Sequence, residues 1–246
     1  THQNIIKKII KTKVLPYYFN HMDAVMFSCT GNQEYLNQFN IQKEKMFLMP
    51  CAVDNSFFRK SKLTPQNCIA LRDKLGIHNN DFVVLFSSRF ISRKKPLDLI
   101  NAVSAIDHKN IFLLFVGDGP LRSDMEALAS KNEIRCFFTG FIGQKKLPKY
   151  YSIANMYSLL SEYDASPKSL NEALNFELPI LVTKQVGTAV DLVEDNNNGF
   201  IVNSSDIDSI AEKINYLNKN RSIAIEMGKK INATGVIGFG GGSSMD

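Results

Sequence analysis

The sequence predicts an α/β protein: a Rossmann-like, doubly wound parallel sheet covered by helices on both faces. Two observations carry this. Short apolar runs of strand length recur along the chain, and most segments between them place apolar residues at helical spacing. Repeated strand-then-helix order builds βαβ units, whose ligands bind outside the carboxyl ends of the strands, on the loops that lead into helices.

Residues 5–19, IIKKIIKTKVLPYYF, form a basic amphipathic segment. Such a segment packs on its own domain or lies on an anionic membrane surface, so peripheral membrane association enters as a partner reading. The runs AVMFS (24–28) and KMFLMP (45–50) read as the first two strands. They are too few for an independent doubly wound sheet, and residues 1–60 therefore read as the tail end of another domain or as an edge addition. A polar, proline-containing stretch, NSFFRKSKLTPQ (55–66), reads as a break. From residue 61 to 233 the alternation is dense, with strands FVVLFSS, IFLLFVG, IRCFFTG, MYSLLS, PILVT and GFIV. Between them lie the helical segments KKPLDLINAVSAI, GPLRSDMEALASK, QKKLPKYYSIA, PKSLNEALNF and AVDLVEDN, and DSIAEKINYLNKN follows the last.

A 246-residue chain with 44% hydrophobic residues can bury one large or two medium cores. No run of about 18 apolar residues offers a bilayer span. The N-terminal THQNIIKKIIKTK lacks the apolar core of a signal peptide, which points to a cytoplasmic protein. Cys29, Cys51, Cys68 and Cys136 are widely spaced and match no metal-ligand pattern, so they read as reduced packing residues, and no metal is expected. A formal charge of +5, with lysines scattered rather than striped, suits anionic small ligands and falls short of a nucleic-acid footprint.

In EYDASPKSLNEALNFELP (162–179), Ser166 is a good N-cap and Pro167 suits the first helical position, so a helix is predicted from Pro167. The backbone N–H groups of Lys168, Ser169 and Leu170 then have no intrahelical acceptor and, with the helix dipole, form a site for a phosphate. Glu172 lies roughly 6 Å beyond Lys168 along the helix axis, about the offset of a ribose from its own diphosphate. A carboxylate there can accept hydrogen bonds from both hydroxyls of the ribose. Asp164, ahead of the helix, would face the opposite end of such a ligand. On spacing alone, a solvated helix carboxylate and an ordinary turn residue explain the two acids as well.

In LFSSRFISRKKPLDLINAV (85–103), Arg89 and Lys94 fall between a strand end and a helix start near Pro96. They are placed to neutralise a diphosphate, the guanidinium as a fork and the ammonium as a point charge, while Arg93 and Lys95 read as solvated. Gly117 in FVGDGP and Gly140 in FFTGFIG permit tight turns and close backbone approach at the sheet edge, although turn glycines after parallel strands are also usual.

Taken together, SSRFISRKKPLDLINAV, LLFVGDGPLRSDMEALA, the stretch from FFTGFIG through EYDASPKSLNEALNFELPILVT, and VGTAVDLVEDNNNGFIVNSSDIDSIAEKI resemble one family. They resemble the C-terminal, donor-binding half of retaining nucleotide-sugar glycosyltransferases of the GT-B architecture, family-4-like and group 1. The likeness covers residues 60–232, and DAVMFSCTGNQEYLNQFNIQKEKMFLMPCAVDNSFF is similar to the end of the family's acceptor domain and its interdomain linker. The resemblance implies transfer of a hexose from a UDP, GDP or related donor to a glycan or lipid-linked acceptor, with retention at the anomeric carbon and no metal or other cofactor. It implies that Arg89 and Lys94 hold the diphosphate and stabilise charge on the leaving group. Asp164 would stand near the transferred sugar, in place of the family's first glutamate, and Glu172 would hold the ribose. The amides of Ser169 and Leu170, beside Lys168, would contact the phosphates. Gly140 and Phe141 would lie by the base, with Gly117 in the same donor-binding set.

Three departures bear on function. Asp164 is one methylene shorter than the usual glutamate. Glu177 stands where the family has a helix-closing glycine, at a cost of roughly 1 kcal/mol if the backbone there is left-handed. Nearly all of the acceptor domain is missing, so the chain alone is expected to transfer poorly. A non-catalytic module of the same fold, binding a nucleotide or phospho-ligand, is the alternative, and Asp164 is the feature that favours it. The tail, residues 234–246, resembles the glycine-rich turn of iron-type alcohol dehydrogenases without the helix that must follow it, and reads as a chimeric or disordered end joined near Ala233.

Overall fold

A computed structural model describes residues 10–107 and 109–230. The glycine-rich tail and its dehydrogenase resemblance lie outside the described residues, as does the start of the basic amphipathic segment. All eight predicted strands form: β1 (Val25–Phe27), β2 (Met46–Leu48), β3 (Phe82–Ser87), β4 (Ile111–Val116), β5 (Cys136–Phe138), β6 (Met156–Leu159), β7 (Ile180–Thr183) and β8 (Gly199–Val202). β1 and β2 pair in parallel as a small sheet around the helix Thr30–Asn37. The other six make one parallel sheet in the order β5-β4-β3-β6-β7-β8. Counted within that sheet the order is 3-2-1-4-5-6, the Rossmann arrangement, and it opens a crevice where the winding reverses, at the carboxyl ends of β3 and β6.

The central strands are apolar throughout because both faces are covered. Phe82, Val84 and Phe86 of β3 pack with Leu99, Ile100 and Val103 on one face, while Val83 and Leu85 pack with Tyr151, Leu170 and Leu174 on the other. Each such side chain contributes about 1.5–3 kcal/mol on burial. The helix Lys168–Leu174, whose first turn was predicted to meet a phosphate, thereby rests directly on the sheet.

Two readings need correction. NSFFRKSKLTPQ, read as a polar break, is helical: Asn55–Lys60 is a helix, N-capped by Asp54, and a second helix, Pro65–Lys74, starts within the stretch under a Thr64 cap. One wholly buried residue, Phe58, pins the first helix edge-on against Tyr151 and Phe176, and a single apolar anchor is too little periodicity to see in a sequence. The other correction concerns the start of the Lys168–Leu174 helix, described with the site below.

The small sheet docks on the loops that follow β6 and β7. Gly31 N–H donates to the Gly187 carbonyl at 3.2 Å, Thr30 N–H to Asp191 Oδ2 at 3.0 Å, and the Cys29 thiol to the Ala165 carbonyl at 3.0 Å. A Cβ at Gly31 would stand 2.7 Å from the Gly187 Cα, so the two backbones touch only because residue 31 is glycine, while a Cβ at Gly187 would meet the Ala165 carbonyl oxygen at 2.4 Å.

Candidate functional site

The loops after β3 and β6 are stitched together across the crevice. Glu162 N–H donates to the Arg93 carbonyl at 2.8 Å, Lys95 Nζ lies 3.6 Å from Glu162 Oε2, and Lys94 Nζ pairs with Asp164 Oδ2. Lys95 is therefore partnered rather than simply solvated. The Lys94–Asp164 pair is 12% and 14% exposed, which shields it from the screening that weakens surface pairs. Reading along the chain put these two residues on separate parts of a ligand; in the fold they face each other. Arg89, by contrast, is exposed and makes no ion pair among the described residues.

The helix begins at Lys168, not Pro167. Pro167 occupies the N-cap with extended backbone (φ −72°, ψ 124°), and no side chain caps the first turn. Proline has no side-chain acceptor to offer, and Ser166 stands one residue too early. The amides of Lys168, Ser169 and Leu170 consequently remain without a capping side chain. The Leu170 side chain is wholly buried beneath them, which leaves its backbone as the part able to meet a ligand.

Glu172 is no solvated helix carboxylate. It is 7% exposed, and Tyr151 Oη donates to its Oε2 at 2.8 Å, while no donor reaches Oε1 among the described residues. Burial pushes its pKa up; the Tyr151 hydrogen bond and the charge of Lys168 pull it back. Three residues earlier in the helix, Ser169 Oγ accepts from Tyr157 Oη at 2.7 Å. Burial also holds both phenols well above their ordinary range, so they act as neutral donors.

A groove of about 430 Å³ lies over the carboxyl ends of β3 and β4 and the loop after β5, lined by Ser88, Arg89, Gly117, Asp118, Phe141 and Ile142 among others. Phe141 is 85% exposed at its rim, an aromatic face free to stack. Gly117 has a positive φ of 138°, and a Cβ there would lie 2.0 Å from the Ser88 carbonyl oxygen. Its N–H donates to the Gly140 carbonyl at 3.2 Å. These two glycines thus hold three loops together at the sheet edge, a close approach of the chain to itself.

The predicted residues gather along one edge of the sheet in two groups. Lys94, Asp164, Lys168, Ser169 and Glu172 cluster at β6 and its following helix, and Arg89, Gly117, Gly140 and Phe141 along the groove. Tyr151 and Tyr157 were missed. Their only signal was that a tyrosine inside an apolar run must find a partner for its hydroxyl, and the sequence does not say which.

The profile of the family described as "Glycosyl transferases group 1" matches residues 69–234, more than half of the chain. The chain belongs to this family. Among the curated relatives of this group 1 member is an alpha-monoglucosyldiacylglycerol synthase of Acholeplasma laidlawii, 29% identical over 164 residues, covering 65% of this chain and 41% of the relative. Another is a GDP-mannose-dependent alpha-(1-6)-phosphatidylinositol monomannoside mannosyltransferase of Mycobacterium tuberculosis, 24% identical over 191 residues, covering 73% of this chain and 48% of the relative. The chain thus spans two fifths to a half of the length of these relatives. The crystal structure of Anabaena HepE in complex with UDP superposes with a TM-score of 0.81 at 21% identity, over 92% of this chain and 63% of that one. The parallel-sheet fold of this group 1 family member is that of GT-B structures, of which it supplies rather more than half a chain.

Proposed function

We propose that this chain is the donor-binding part of a retaining, metal-independent glycosyltransferase that takes a hexose from a nucleoside diphosphate sugar. Its acceptor would be a glycan or lipid-linked molecule, held together with a further, acceptor-binding domain. The observation that carries the reading is Glu172. A carboxylate kept in a buried place against its own solvation, with one oxygen tied and the other open, costs stability and is explained by a ligand that needs it. It stands beside an uncapped helix start at the reversal point of the sheet, where this class of fold binds nucleotides.

In this reading the ribose diol bonds to Glu172, the phosphates meet the amides of Lys168, Ser169 and Leu170, and the base lies in the groove with Phe141. Arg89 and Lys94 take the role a metal ion plays elsewhere, stabilising the charge that builds on the diphosphate as the sugar leaves. Lys94 must turn from Asp164 toward the phosphate, which frees Asp164 for a hydroxyl of the sugar. UDP is the first candidate donor nucleotide, since HepE was crystallised with it, and the name of the mycobacterial relative keeps GDP in play. Retention and metal independence rest on the resemblance of the 162–179 motif. A lipid acceptor is suggested by the names of both curated relatives, and peripheral attachment by the exposed Tyr17 and Tyr18 beside Lys11 and Lys13. A cytoplasmic location is kept as part of this proposal.

One observation favours the alternative, a binding module without chemistry: the Lys94–Asp164 pair closes on itself and neutralises the carboxylate that would face a sugar. Calorimetric titration with UDP, GDP and ADP, each with and without EDTA, tests the leading reading. Binding of one diphosphate, indifferent to EDTA, is expected. A chain that is folded by circular dichroism yet binds none of the three overturns it. Slow release of free nucleotide from the matching sugar donor then separates enzyme from binder.

A further inference from the structure

Beneath the candidate site lies a hydroxyl whose direction is set by packing alone. Tyr151, in the helix Pro148–Ser152, stacks on Phe176 with ring centroids 5.3 Å apart and meets Phe58 edge-on at 6.4 Å. Two rings from separate parts of the chain therefore clamp the Tyr151 ring, which is wholly buried. A ring so clamped cannot swing its hydroxyl, and the single proton goes to Glu172 Oε2 at 2.8 Å; the Ser169 carbonyl, at 3.5 Å, is too far to compete. The glutamate side chain has three rotatable bonds and, buried without a partner, would either wander or take up a proton.

We propose that Tyr151 is a positioning residue for nucleotide selection: by holding Oε2 it fixes the Glu172 carboxylate and leaves Oε1 as the acceptor that recognises ribose over deoxyribose. This rests on the ribose role proposed for Glu172. The groups facing that carboxylate are Tyr151, Tyr157 and Lys168, of which the two phenols remain neutral because burial disfavours their ionisation. Loss of the Tyr151 hydroxyl thus removes a hydrogen bond that favours the charged form, and Glu172 will protonate more readily.

The test uses the full 246-residue chain, with UDP and 2′-deoxy-UDP as probes, or GDP and 2′-deoxy-GDP if guanine is selected. Tyr151→Phe keeps the ring and removes the hydroxyl. It is expected to weaken UDP binding about tenfold, the worth of one hydrogen bond to a charged group, while 2′-deoxy-UDP binding changes little. The loss should be larger at about pH 6 than at about pH 8, because protonation of Glu172 adds to it on the acid side. Glu172→Ala should abolish the ribose preference, and adding Tyr151→Phe to it should cost nothing more. Glu172→Gln, which leaves Tyr151 in place, should remove the pH dependence.

If Glu172→Ala loses the preference while Tyr151→Phe binds both probes as the unaltered chain does, the positioning role is wrong and the ribose role stands. If Glu172→Ala keeps the preference, the ribose role falls and this inference with it. A Tyr151→Phe chain that weakens for both probes equally, at every pH, shows a merely structural tyrosine and overturns the proposal.

Discussion

The two ends of the six-stranded sheet carry the same kinds of residue, arginines and buried carboxylates, and use them differently. At the amino ends, Asp81 is 3% exposed and closed: Oδ1 accepts from Arg135 Nη1 at 2.8 Å and Oδ2 from His78 N–H at 2.6 Å. Arg135 also reaches the Gly76 carbonyl. Arg72 reaches the Asp81 carbonyl, and Arg221 lies over the Phe82 ring at 4.6 Å. At the carboxyl ends the account stays open. Among the described residues, Glu172 has an acceptor oxygen to spare, Arg89 has no anion, and a helix start has no capping side chain. Charges that close on the protein fasten the fold, and charges left open at a concave edge mark where something else must complete them.

Breaking the closed end should produce the largest effect on stability and none on binding. Asp81→Ala strands Arg135 and the His78 amide, and should cost about 3 kcal/mol in denaturant unfolding while nucleotide affinity in the folded fraction is unchanged. A parallel loss of affinity would erase the contrast between the ends. Next, Arg89→Ala with Lys94→Ala should lower diphosphate affinity about 100-fold and leave uridine binding intact, with a smaller stability loss from stranding the largely buried Asp164. Equal damage to the nucleoside would mean that these cations are not phosphate ligands.

Glu172→Gln sharpens the comparison, since an open site should be costly to maintain. Burial raises the folded-state pKa of Glu172 above its unfolded value. Its favourable contribution is therefore present below the unfolded pKa and lost as pH rises through the folded one. At about pH 7 the amide should raise the melting midpoint by about 2–4 °C, what 1 kcal/mol makes in a chain of this size, and the gain should vanish by about pH 3. Asp164→Asn should release Lys94 and tighten UDP binding about threefold while slowing release of nucleotide from its sugar donor. Weaker UDP binding would show that Asp164 organises the phosphate site instead of competing for it. Smallest of all, Glu177→Gly should stabilise by less than about 1 kcal/mol, since relief of its left-handed backbone is offset by loss of the exposed Lys62 pair.

Much of this was legible in the sequence because it depended on local pattern. Buried parallel strands are apolar end to end, so FVVLFS and IFLLFV could hardly be anything else, and the loops after them follow from the alternation. The condition attached to Glu177 is met, its backbone being left-handed at φ 57°, because helix closure is a short-range matter. What escaped was decided by contacts across the fold. Phe58 turns a polar stretch into a packed helix, Tyr151 reaches Glu172 from 21 residues away, and Lys94 meets Asp164 from 70. The burial of Glu172 belongs to the same class: its helix could have presented either face, and only the sheet beneath decides.

The pairing of Lys94 with Asp164 has a kinetic side. Lys94 waits already neutralised, so an approaching nucleotide meets one positive charge fewer than the residues of the site would suggest. Long-range steering should then be modest and fade quickly with ionic strength, leaving the capture rate to diffusion and the final grip to the exchange of one counter-charge, the carboxylate of Asp164, for another, the phosphate.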